Sequence, residues 1–579
     1  MNRLLDLGSK AFALVFLPLF LLAVPSAYAS GHLNAQGCDR LSHIGAQALD
    51  PTAKIDRATW IASTSTEGGA SVPGAGAKAT VKDHCEVIGS LQRREGLNGQ
   101  AYAIRFHLRL PSDWNGRFIF QGGGGSNGEL GDALGHVSTG GSLAINEGYA
   151  VVSQDSGHDN ATNTDPAHNG SVAFGFDPVA RENYGHLSLK LVADAAKALI
   201  RTYYGKGPKY SYFFGCSKGG QEGMTFAQLY PNEFDGIVAG APGFALPRAA
   251  IAEAWDVQSF GALVVSDGKP FDPSRLHETF SAMDLVIVRQ AILDACDEAD
   301  GLKDGIVADM YACVDAKVLP QLDRHKCPGS KTVDCLAADQ ISTLLRVIHG
   351  PQNRAGMPLY SDWFWPVGIA GEDWRIWKIG SSDGHIPALN IVLGGASLAS
   401  VFTTPPTVLG GSPQAIATYQ MRFDFDRDSA GIYSVAPPFT NSAWHDIGSR
   451  SSDLTEFQAR GGKLIVPHGD SDPVFSLKDT LRWYDELNAR SGGHASDFVR
   501  VFPVPGMCHC GGGQATDSYD AFSELVTWVE RHKAPESLLA TAGPRSPWPG
   551  RQRPVCAYPA VARYKGGDPE QASSFRCAA

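Results

Sequence analysis

The sequence predicts an α/β fold built on a mostly parallel sheet, and three observations support this prediction. Short strand-like runs alternate with a helical segment over the first 240 residues. A glycine-rich loop follows one early run, and a Gly-x-Ser-x-Gly segment follows a later one. The strand pattern returns after residue 460. Such βαβ alternation is typical of a parallel sheet covered by helices.

The individual elements follow from composition and periodicity. Residues 30–110 read as short strands and turns and end in an alternating apolar and polar run. The Ala-, Leu- and Lys-rich segment 187–204 predicts a helix that ends at Gly205, a residue typical of helix termination. The segments expected to carry strands are 102–110, 117–120, 149–153, 210–214, 235–242, 462–469 and 497–502.

The middle of the chain departs from this alternation. Between residues 245 and 449 lie six tryptophans, two potential cysteine pairs and many proline and glycine turns. We therefore expect the main domain in two parts, at 30–244 and 450–579, with a large lid domain inserted at 245–449.

The first residues predict a secretory signal at 1–29. Arg3 and Lys10 are basic, the run 11–24 is almost wholly apolar, and Ala27–Ala29 has the small-residue pattern of a cleavage site. The alternative is a membrane anchor, but the 14-residue run is shorter than the roughly 20 residues that a span requires. We expect a secreted or periplasmic protein.

The charge of the chain bears on its partners. The formal net charge is −11, and removal of residues 1–29 takes away Arg3, Lys10 and Asp6, which makes it −12. An acidic protein is a poor candidate for binding nucleic acid or an anionic membrane surface. We therefore expect neither partner.

Segment 215–219 (Gly-Cys-Ser-Lys-Gly) follows a strand-like run and carries the strongest catalytic signal. Gly-x-Ser-x-Gly after a strand is the nucleophile elbow of the α/β-hydrolase fold, in which the serine occupies a strained turn. The sequence thus predicts an α/β-hydrolase fold with Ser217 as nucleophile.

The acid and the base should follow the nucleophile in that order. Asp470 and Asp472 both lie just beyond the strand 462–469; we choose Asp472 and expect Asp470 to shape the turn. His509 follows a later strand and is the expected base. Its alternative role, as a metal ligand between Cys508 and Cys510, would give a poor tetrahedral zinc site.

The glycine run 122–125 predicts an oxyanion loop. A phosphate-binding loop would need a following Gly-Lys-Ser/Thr or a dinucleotide-binding context, and the sequence has neither. We expect a glycine amide, with Gly124 as the candidate, and the amide of Lys218 to stabilise a tetrahedral intermediate. The Lys218 side chain is expected to be incidental.

The chain has 11 cysteines, so an exported protein would contain disulfides and at least one unpaired thiol. A bond between Cys216 and Cys510 would join the predicted nucleophile and base. Spacing suggests four further pairs, which are Cys38 with Cys85, Cys296 with Cys313, Cys327 with Cys335, and Cys556 with Cys577.

Residues 296–306 concentrate carboxylates between glycine turns. Hard oxygen ligands in a glycine-bent loop suit calcium, although the pattern is not an EF-hand. From the residues alone, a solvated turn is as good an interpretation as a metal site.

Four motifs together resemble the tannase and feruloyl esterase family. They are Gly-Cys-Ser-x-Gly-Gly at 215–220, Asp-x-x-Asp-Gly-Leu-x-Asp-Gly at 297–305, His-Gly-x-x-Asp-Pro at 468–473 and Pro-Gly-Met-x-His-Cys-Gly-Gly at 505–512. The resemblance implies a disulfide between Cys216 and Cys510 beside the triad and leaves Cys508 as the unpaired thiol. It also implies a structural calcium in the lid, held by the side chains of Asp297, Asp300 and Asp304 and the carbonyls of Leu302 and Ile306.

Within the family, residues 472–476 (Asp-Pro-Val-Phe-Ser) are similar to the branch that hydrolyses mono(2-hydroxyethyl) terephthalate. This similarity implies that Phe475 packs on the aromatic ring of the substrate and that His468 also contacts substrate; the alternative for Phe475 is ordinary core. A lid arginine binds the substrate carboxylate in that branch, and Arg375 and Arg422 are possible equivalents.

These observations favour a secreted serine esterase that acts on gallate, hydroxybenzoate or hydroxycinnamate esters. Hydrolysis of terephthalate or phthalate monoesters is the alternative within the family. A serine peptidase on the same fold is less favoured. A non-catalytic polyphenol- or carbohydrate-binding protein would not need an intact Ser, Asp and His set.

Overall fold

The computed structural model describes residues 34–44, 52–67, 78–137, 143–265 and 271–579. The predicted signal segment 1–29 lies outside these residues. No helix in the described ranges is long and apolar enough to cross a membrane.

The strands occupy both ends of the chain, and every strand expected from the sequence is present. In chain order they are β1 (Lys54–Ile61), β2 (Thr64–Glu67), β3 (Lys78–Val81), β4 (His84–Glu95), β5 (Ala101–Pro111), β6 (Arg117–Gln121), β7 (Ala150–Gln154), β8 (Tyr210–Cys216), β9 (Gly236–Gly240), β10 (Lys463–Gly469), β11 (Val499–Val504), β12 (Ser537–Thr541), β13 (Gln552–Cys556), β14 (Val561–Tyr564) and β15 (Phe575–Ala578).

Within the described ranges, nine strands form the central sheet in the order β1-β4-β5-β7-β6-β8-β9-β10-β11. From β7 to β11 every neighbouring pair is parallel, whereas β1, β4 and β5 add an antiparallel edge beside β7. The predicted α/β class with a mostly parallel sheet is confirmed.

The helices cover the sheet and fill the middle of the chain. They are α1 (Ala35–Leu41), α2 (Asn160–Asn163), α3 (Pro178–Glu182), α4 (Ser188–Tyr204), α5 (Lys218–Leu229), α6 (Leu246–Gly261), α7 (Ala282–Cys296), α8 (Asp315–Arg324), α9 (Ala338–His349), α10 (Glu372–Lys378), α11 (Ala396–Ser400), α12 (Pro413–Arg422), α13 (Ala443–Ile447), α14 (Thr455–Ala459), α15 (Leu477–Arg490) and α16 (Ala521–Arg531). Two π-helical segments, Asn183–Leu187 and Asn390–Gly395, precede α4 and α11.

Both faces of the sheet are buried because successive side chains of each strand point to opposite sides. On β6, Phe118 and Phe120 pack in a core with α4 and α15. Ile119 between them belongs to a second core with α16 on the other face. This two-sided burial explains why the parallel strands read as continuous apolar runs in the sequence.

The described residues between β9 and β10 form helices and turns and contribute no strand to the central sheet. Their side chains form a third apolar core around α6 and α7. This helical segment includes the region 245–449 for which a lid is predicted.

Five disulfides join the pairs expected from the sequence and from the family resemblance. They are Cys38–Cys85, Cys216–Cys510, Cys296–Cys313, Cys327–Cys335 and Cys556–Cys577. Cys508 is the free cysteine, and it is buried.

Candidate active site

The candidate site lies at the carboxyl ends of the parallel strands, where ligands bind in open α/β sheets. Ser217 directly follows β8, Asp472 lies three residues after β10, and His509 lies five residues after β11. The glycine run 122–125 begins where β6 ends. Neighbouring strands therefore bring together four segments that are far apart in sequence.

Ser217 occupies a sharp turn between β8 and α5, with φ 65° and ψ −120°. The two flanking glycines are required by close backbone approach. A Cβ at Gly215 would lie 2.6 Å from the carbonyl oxygen of Gly219, and one at Gly219 would lie 2.7 Å from that of Gly123. The Gly-x-Ser-x-Gly pattern therefore has a steric cause here.

Ser217, His509 and Asp472 form a continuous hydrogen-bonded chain. The Ser217 Oγ lies 2.8 Å from His509 Nε2, and His509 Nδ1 lies 2.8 Å from Asp472 Oδ2. These distances lie within the range that a nucleophile, base and orienting acid require. Two aromatic rings border the imidazole edge-on, those of Trp377 at 5.5 Å and Phe475 at 5.3 Å between centroids.

Asp472 is buried and held in its ionised form. The backbone amides of Val474 and Phe475 donate to its Oδ1 at 2.7 and 3.1 Å. Burial alone would raise the pKa of Asp472, but the charge on His509 and the hydrogen bonds from His468 and His509 hold the pKa well below its usual range. A carboxylate in this state can fix the imidazole tautomer and stabilise the imidazolium.

His468 contacts the acid of the triad. Its side chain is buried, and its Nε2 lies 3.3 Å from Asp472 Oδ2 and 3.1 Å from the carbonyl oxygen of Phe475. Its Nδ1 lies 2.9 Å from Thr480 Oγ1. With both ring nitrogens bonded to protein, His468 supports the acid from behind, and its contact with substrate stays a prediction.

Asp470 shapes the turn, as expected, and also joins two loops. Its Oδ1 accepts hydrogen bonds of 2.8 Å from the Ser471 hydroxyl and from the amide of Gly506 in the loop that carries His509. Burial raises the pKa of Asp470 to about 7, against the lowering effect of these two bonds.

The Cys216–Cys510 disulfide connects the residues adjacent to the nucleophile and the base. Its Cα atoms are 6.0 Å apart, and the bond spans 294 positions of sequence. Cys508, on the other side of His509, is fully buried, and its Sγ points to the carbonyl of Gly368 at 3.9 Å. Burial raises the pKa of the Cys508 thiol well above its usual value, which disfavours the thiolate needed for disulfide exchange.

The glycine loop has amide groups available beside Ser217. The amides of Gly122 and Gly123 are already bonded, to the carbonyl of Phe214 and to the carboxylate of Glu222. A Cβ at Gly124 would meet nothing within 4 Å, and Gly125 borders the cavity. Gly124 thus stays a candidate donor together with its neighbour Gly125.

The Lys218 side chain is part of the site's framework, which corrects the expectation that it is incidental. It is 1% exposed, and its Nζ lies 3.1 Å from Glu222 Oε1. The same carboxylate accepts from the amide of Gly123 at 3.0 Å and from Asn127 Nδ2 at 2.9 Å. Lys218 and Glu222 therefore anchor the predicted oxyanion loop to α5. Their i, i+4 spacing was the sequence signal for this pair.

A cavity opens at Ser217 and is bordered by residues of α5, α6 and the glycine loop. Four aromatic side chains line it, those of Tyr184, Trp377, Phe402 and Phe475. Phe475 thus borders the cavity, and its packing on a substrate ring stays a prediction.

Neither candidate arginine borders this cavity. Arg375 is 3% exposed, and its guanidinium donates to the carbonyls of Phe280 and His277 at 2.6 Å each. Arg422 is exposed at the end of α12 and borders two other clefts. The expectation that one of them contacts a substrate carboxylate is not supported by their positions.

The acidic loop 297–306 is tightly folded on its own backbone. The carboxylate of Asp297 accepts from the amide of Gly305, and that of Asp300 accepts from the amide of Leu302. Asp304 accepts from the amide of Ile306 and forms an ion pair with Arg553. In the described ranges, no group of three or more His, Cys, Asp or Glu side chains is arranged to hold a metal ion.

The donor chemistry of this loop nevertheless suits calcium, because carboxylates and carbonyls are hard oxygen ligands. Asp297 and Asp300 are 4% and 5% exposed, and within the described residues neither forms an ion pair with a side chain. Burial raises the pKa of both carboxyls, that of Asp300 to about 7. The side chain that departs from a metal-binding arrangement is Asp304, which faces Arg553.

Comparison with known proteins places these features in a family. The family model described as "Tannase and feruloyl esterase" matches residues 85–578. The mono(2-hydroxyethyl) terephthalate hydrolase of Piscinibacter sakaiensis is 41% identical over 88% of this chain and 87% of its own. A probable feruloyl esterase of Arthroderma benhamiae is 30% identical over 86% of both chains.

Solved structures agree on the fold. The crystal structure of an esterase from Aspergillus oryzae superimposes with a TM-score of 0.72 at 24% identity, covering 94% of this chain and all of that one. The chain therefore belongs to the tannase and feruloyl esterase family of carboxylic ester hydrolases.

Proposed function

We propose that the protein is an exported serine esterase that hydrolyses esters of hydroxylated aromatic acids, with Ser217, His509 and Asp472 as its catalytic triad. The observation that carries the proposal is the hydrogen-bonded chain from Asp472 through His509 to Ser217, opening into an aromatic-lined cavity.

In the proposed reaction His509 Nε2 takes the proton of the Ser217 hydroxyl as Oγ attacks the ester carbonyl. The amide of Lys218 and an amide of the glycine loop stabilise the oxyanion. The tetrahedral intermediate collapses, and His509 returns the proton to the leaving alkoxide, which departs as the alcohol. Water then attacks the acyl-enzyme by the same steps in reverse order and releases the acid.

The cavity favours an aromatic acyl group. Aromatic side chains bind rings through apolar contact and edge-to-face geometry. Trp377 and Phe475 both border His509, so a ring held between them would place its acyl carbon near Ser217.

Ser217→Ala tests the assignment. It should reduce turnover of methyl ferulate at least 10⁴-fold, because removing a triad nucleophile removes covalent catalysis. Covalent labelling by a fluorophosphonate should occur in the wild type and disappear in the variant. An unlabelled wild type would favour the non-catalytic binding protein, and release of amines from peptides would favour the peptidase.

Hydrolysis of mono(2-hydroxyethyl) terephthalate is the second candidate. Its support is the 41% identity to the Piscinibacter sakaiensis enzyme together with the position of Phe475. Against it, no arginine borders the described cavity, so a substrate carboxylate would lack a cationic partner there. The values of kcat/KM for methyl gallate, methyl ferulate and the terephthalate monoester decide between the two.

We also propose a structural calcium in the loop 297–306, with Asp304 leaving Arg553 to join the other ligands. The loop supplies hard oxygen donors, and within the described ranges two of its buried carboxylates, Asp297 and Asp300, form no ion pair. Calcium should raise the melting temperature of the chelator-treated protein by several degrees, and Asp300→Asn should abolish this shift. An unchanged melting temperature on calcium addition would contradict the proposal.

Export is proposed from the predicted signal segment together with the five disulfides, since such bonds persist in oxidising compartments. N-terminal sequencing of the protein recovered outside the cytoplasm should begin after residue 29. Recovery of the intact N-terminus in the cytoplasm would contradict it.

A further inference from the structure

Glu253 lies in the active-site cavity and has no role in the chemistry described above. Among the described residues that border the cavity, Glu253 is the only acid. It shares one face of α6 with Leu246, Ala249 and Ala250, which border the same cavity. An acid on an otherwise apolar cavity face is costly unless something binds it.

The carboxyl group of Glu253 lacks a protein partner. Its residue is 6% exposed, and within the described part of the chain it forms neither a hydrogen bond nor an ion pair. Its Oε2 lies against Gly394, where an added Cβ would be 1.6 Å away. Buried polar groups in proteins are normally hydrogen-bonded, so an unpartnered one beside a cavity indicates a ligand.

The nearby cation, Lys378, is already paired with another carboxylate, that of Asp256. Lys378 Nζ lies 2.5 Å from Asp256 Oδ2, and Asn390 also donates to that oxygen at 3.2 Å. Lys378 and Asp256 are the charged groups whose electrostatic effect reaches Glu253. Neither is within hydrogen-bond distance of it, so the Glu253 carboxyl is left to the cavity.

The protonation state of Glu253 suits a neutral hydroxyl partner. Burial raises its pKa to about 8; the charge on Lys378 opposes this rise, and that on Asp256 adds to it. At neutral pH the group is therefore mostly a carboxylic acid, which both donates and accepts a hydrogen bond. A phenolic hydroxyl also donates and accepts a hydrogen bond, so it complements this group. A ring carboxylate would instead be repelled by Glu253 once the pH is high enough to ionise it.

Glu253 borders the same cavity as the nucleophile. The amide of Gly243 donates to the carbonyl of Ser217 at 3.1 Å, and α6 begins three residues later at Leu246. Glu253 is seven residues further along this helix, a rise of about 10 Å from Leu246 along the helix axis. Because Ser217, Leu246 and Glu253 all border one cavity, the Glu253 carboxyl faces the space that a ligand bound at Ser217 would enter.

We propose that Glu253 is the specificity-determining residue that binds a ring hydroxyl of the aromatic acid and that, in its ionised form, disfavours acids with a ring carboxylate. The inference rests on the proposed esterase function and adds to it the residue that recognises the substituent on the aromatic ring.

The test compares matched esters in the wild type, Glu253→Leu and Glu253→Gln. For the wild type, kcat/KM should be higher for methyl 4-hydroxycinnamate than for methyl cinnamate. In Glu253→Leu this ratio should fall by about 10- to 100-fold, because the hydroxyl loses its partner. Glu253→Gln is the matched control: its amide donates and accepts, so the ratio should stay within about threefold of the wild type.

The terephthalate monoester provides the second readout. Glu253→Gln removes the negative charge, so kcat/KM for this substrate should increase relative to methyl 4-hydroxycinnamate, most clearly above pH 8. If Glu253→Leu lowers kcat/KM equally for the hydroxylated and the unsubstituted ester, the ratio of the two values stays unchanged. That result would show a merely structural role and overturn the inference.

Failure of the inference is distinguishable from failure of the proposed function. If the wild type cleaves aryl esters and is labelled by fluorophosphonate but the ratio does not respond to Glu253, only the assignment of Glu253 fails. If the wild type is neither active nor labelled, both fail. Fluorophosphonate labelling of each variant shows that its triad is intact, and Glu253→Gln keeps the test decisive if Glu253→Leu does not fold.

Discussion

Replacing Lys218 by methionine should damage both stability and turnover, although its amine is not expected to touch the substrate. Lys218 and Glu222 are 1% and 0% exposed and lie 3.1 Å apart. Removing one partner of a buried ion pair typically costs about 3–5 kcal/mol, because the remaining charge has no compensation. Glu222 would then lose its compensating charge while it still holds the amide of Gly123 and the side chain of Asn127.

The catalytic effect follows from the loop that these bonds hold. Removing one oxyanion donor lowers kcat by about 10²–10³-fold in known enzymes. Since Lys218→Met would displace the donor without deleting it, we expect a fall in kcat of about 10- to 100-fold with KM nearly unchanged. Steady-state kinetics on methyl ferulate and thermal unfolding measure the two effects.

Two further variants make this prediction decisive. Lys218→Met combined with Glu222→Gln leaves no unpaired charge, and it should recover more than half of the lost stability. Asp194→Asn removes the 52%-exposed partner of another i, i+4 pair, while its partner Lys190 keeps the ion pair with Glu233, and it should cost less than about 1 kcal/mol. The reasoning is refuted if Lys218→Met keeps kcat within twofold, or if the double variant is no more stable than the single one.

Three other predictions follow from the neighbouring contacts. His468→Asn should lower kcat/KM about tenfold, because it weakens the hydrogen bonding that supports Asp472. The preference among ring-substituted esters should not change. A changed preference would support a substrate-binding role for His468. Replacing Cys216 and Cys510 by serine should lower the free energy of unfolding by roughly 3–5 kcal/mol, given a loop of 294 residues, while Cys508→Ser should leave urea unfolding nearly unchanged. The raised pKa of Asp470, about 7, contributes stability that is complete below the pKa of the unfolded carboxyl and is lost as the pH rises through 7. Asp470→Asn should therefore flatten the melting temperature between pH 4 and 8, and an unaltered pH profile would contradict this.

Local signals in the sequence were sufficient for the strands and for the catalytic loops. The runs 117–120 and 149–153 correspond to β6 and β7, whose residues 118–120 and 150–152 are apolar because they are buried on both faces of the sheet. The turn around Ser217 was predictable because steric contact restricts both flanking positions to glycine.

The order of the strands was not predictable in the same way. β6 lies between β7 and β8, and β1 and β4 extend the sheet at its antiparallel edge. Such pairings join residues distant in sequence and depend on the whole arrangement of helices and strands. The two small C-terminal sheets, β12 with β13 and β14 with β15, likewise had no clear local signal.

Side-chain direction limited the prediction of the site. His468 and Phe475 flank Asp472 within eight positions, but one is enclosed behind the acid and the other borders the cavity. Sequence spacing does not distinguish these two directions. Glu253 could not be identified from the sequence, because only the packing of α6 against the cavity places its side chain there.

The Cys216–Cys510 bond has a consequence for proteolysis in an extracellular environment. Of the five disulfides, it alone links chain on both sides of the helical region between β9 and β10; the others close loops within one side or within that region. A protease that cut once in that region would leave two fragments covalently joined beside the triad. In denaturing electrophoresis the nicked protein should migrate as a single species without reductant and as two fragments with it. Before reduction, the nicked protein should keep its catalytic groups in place.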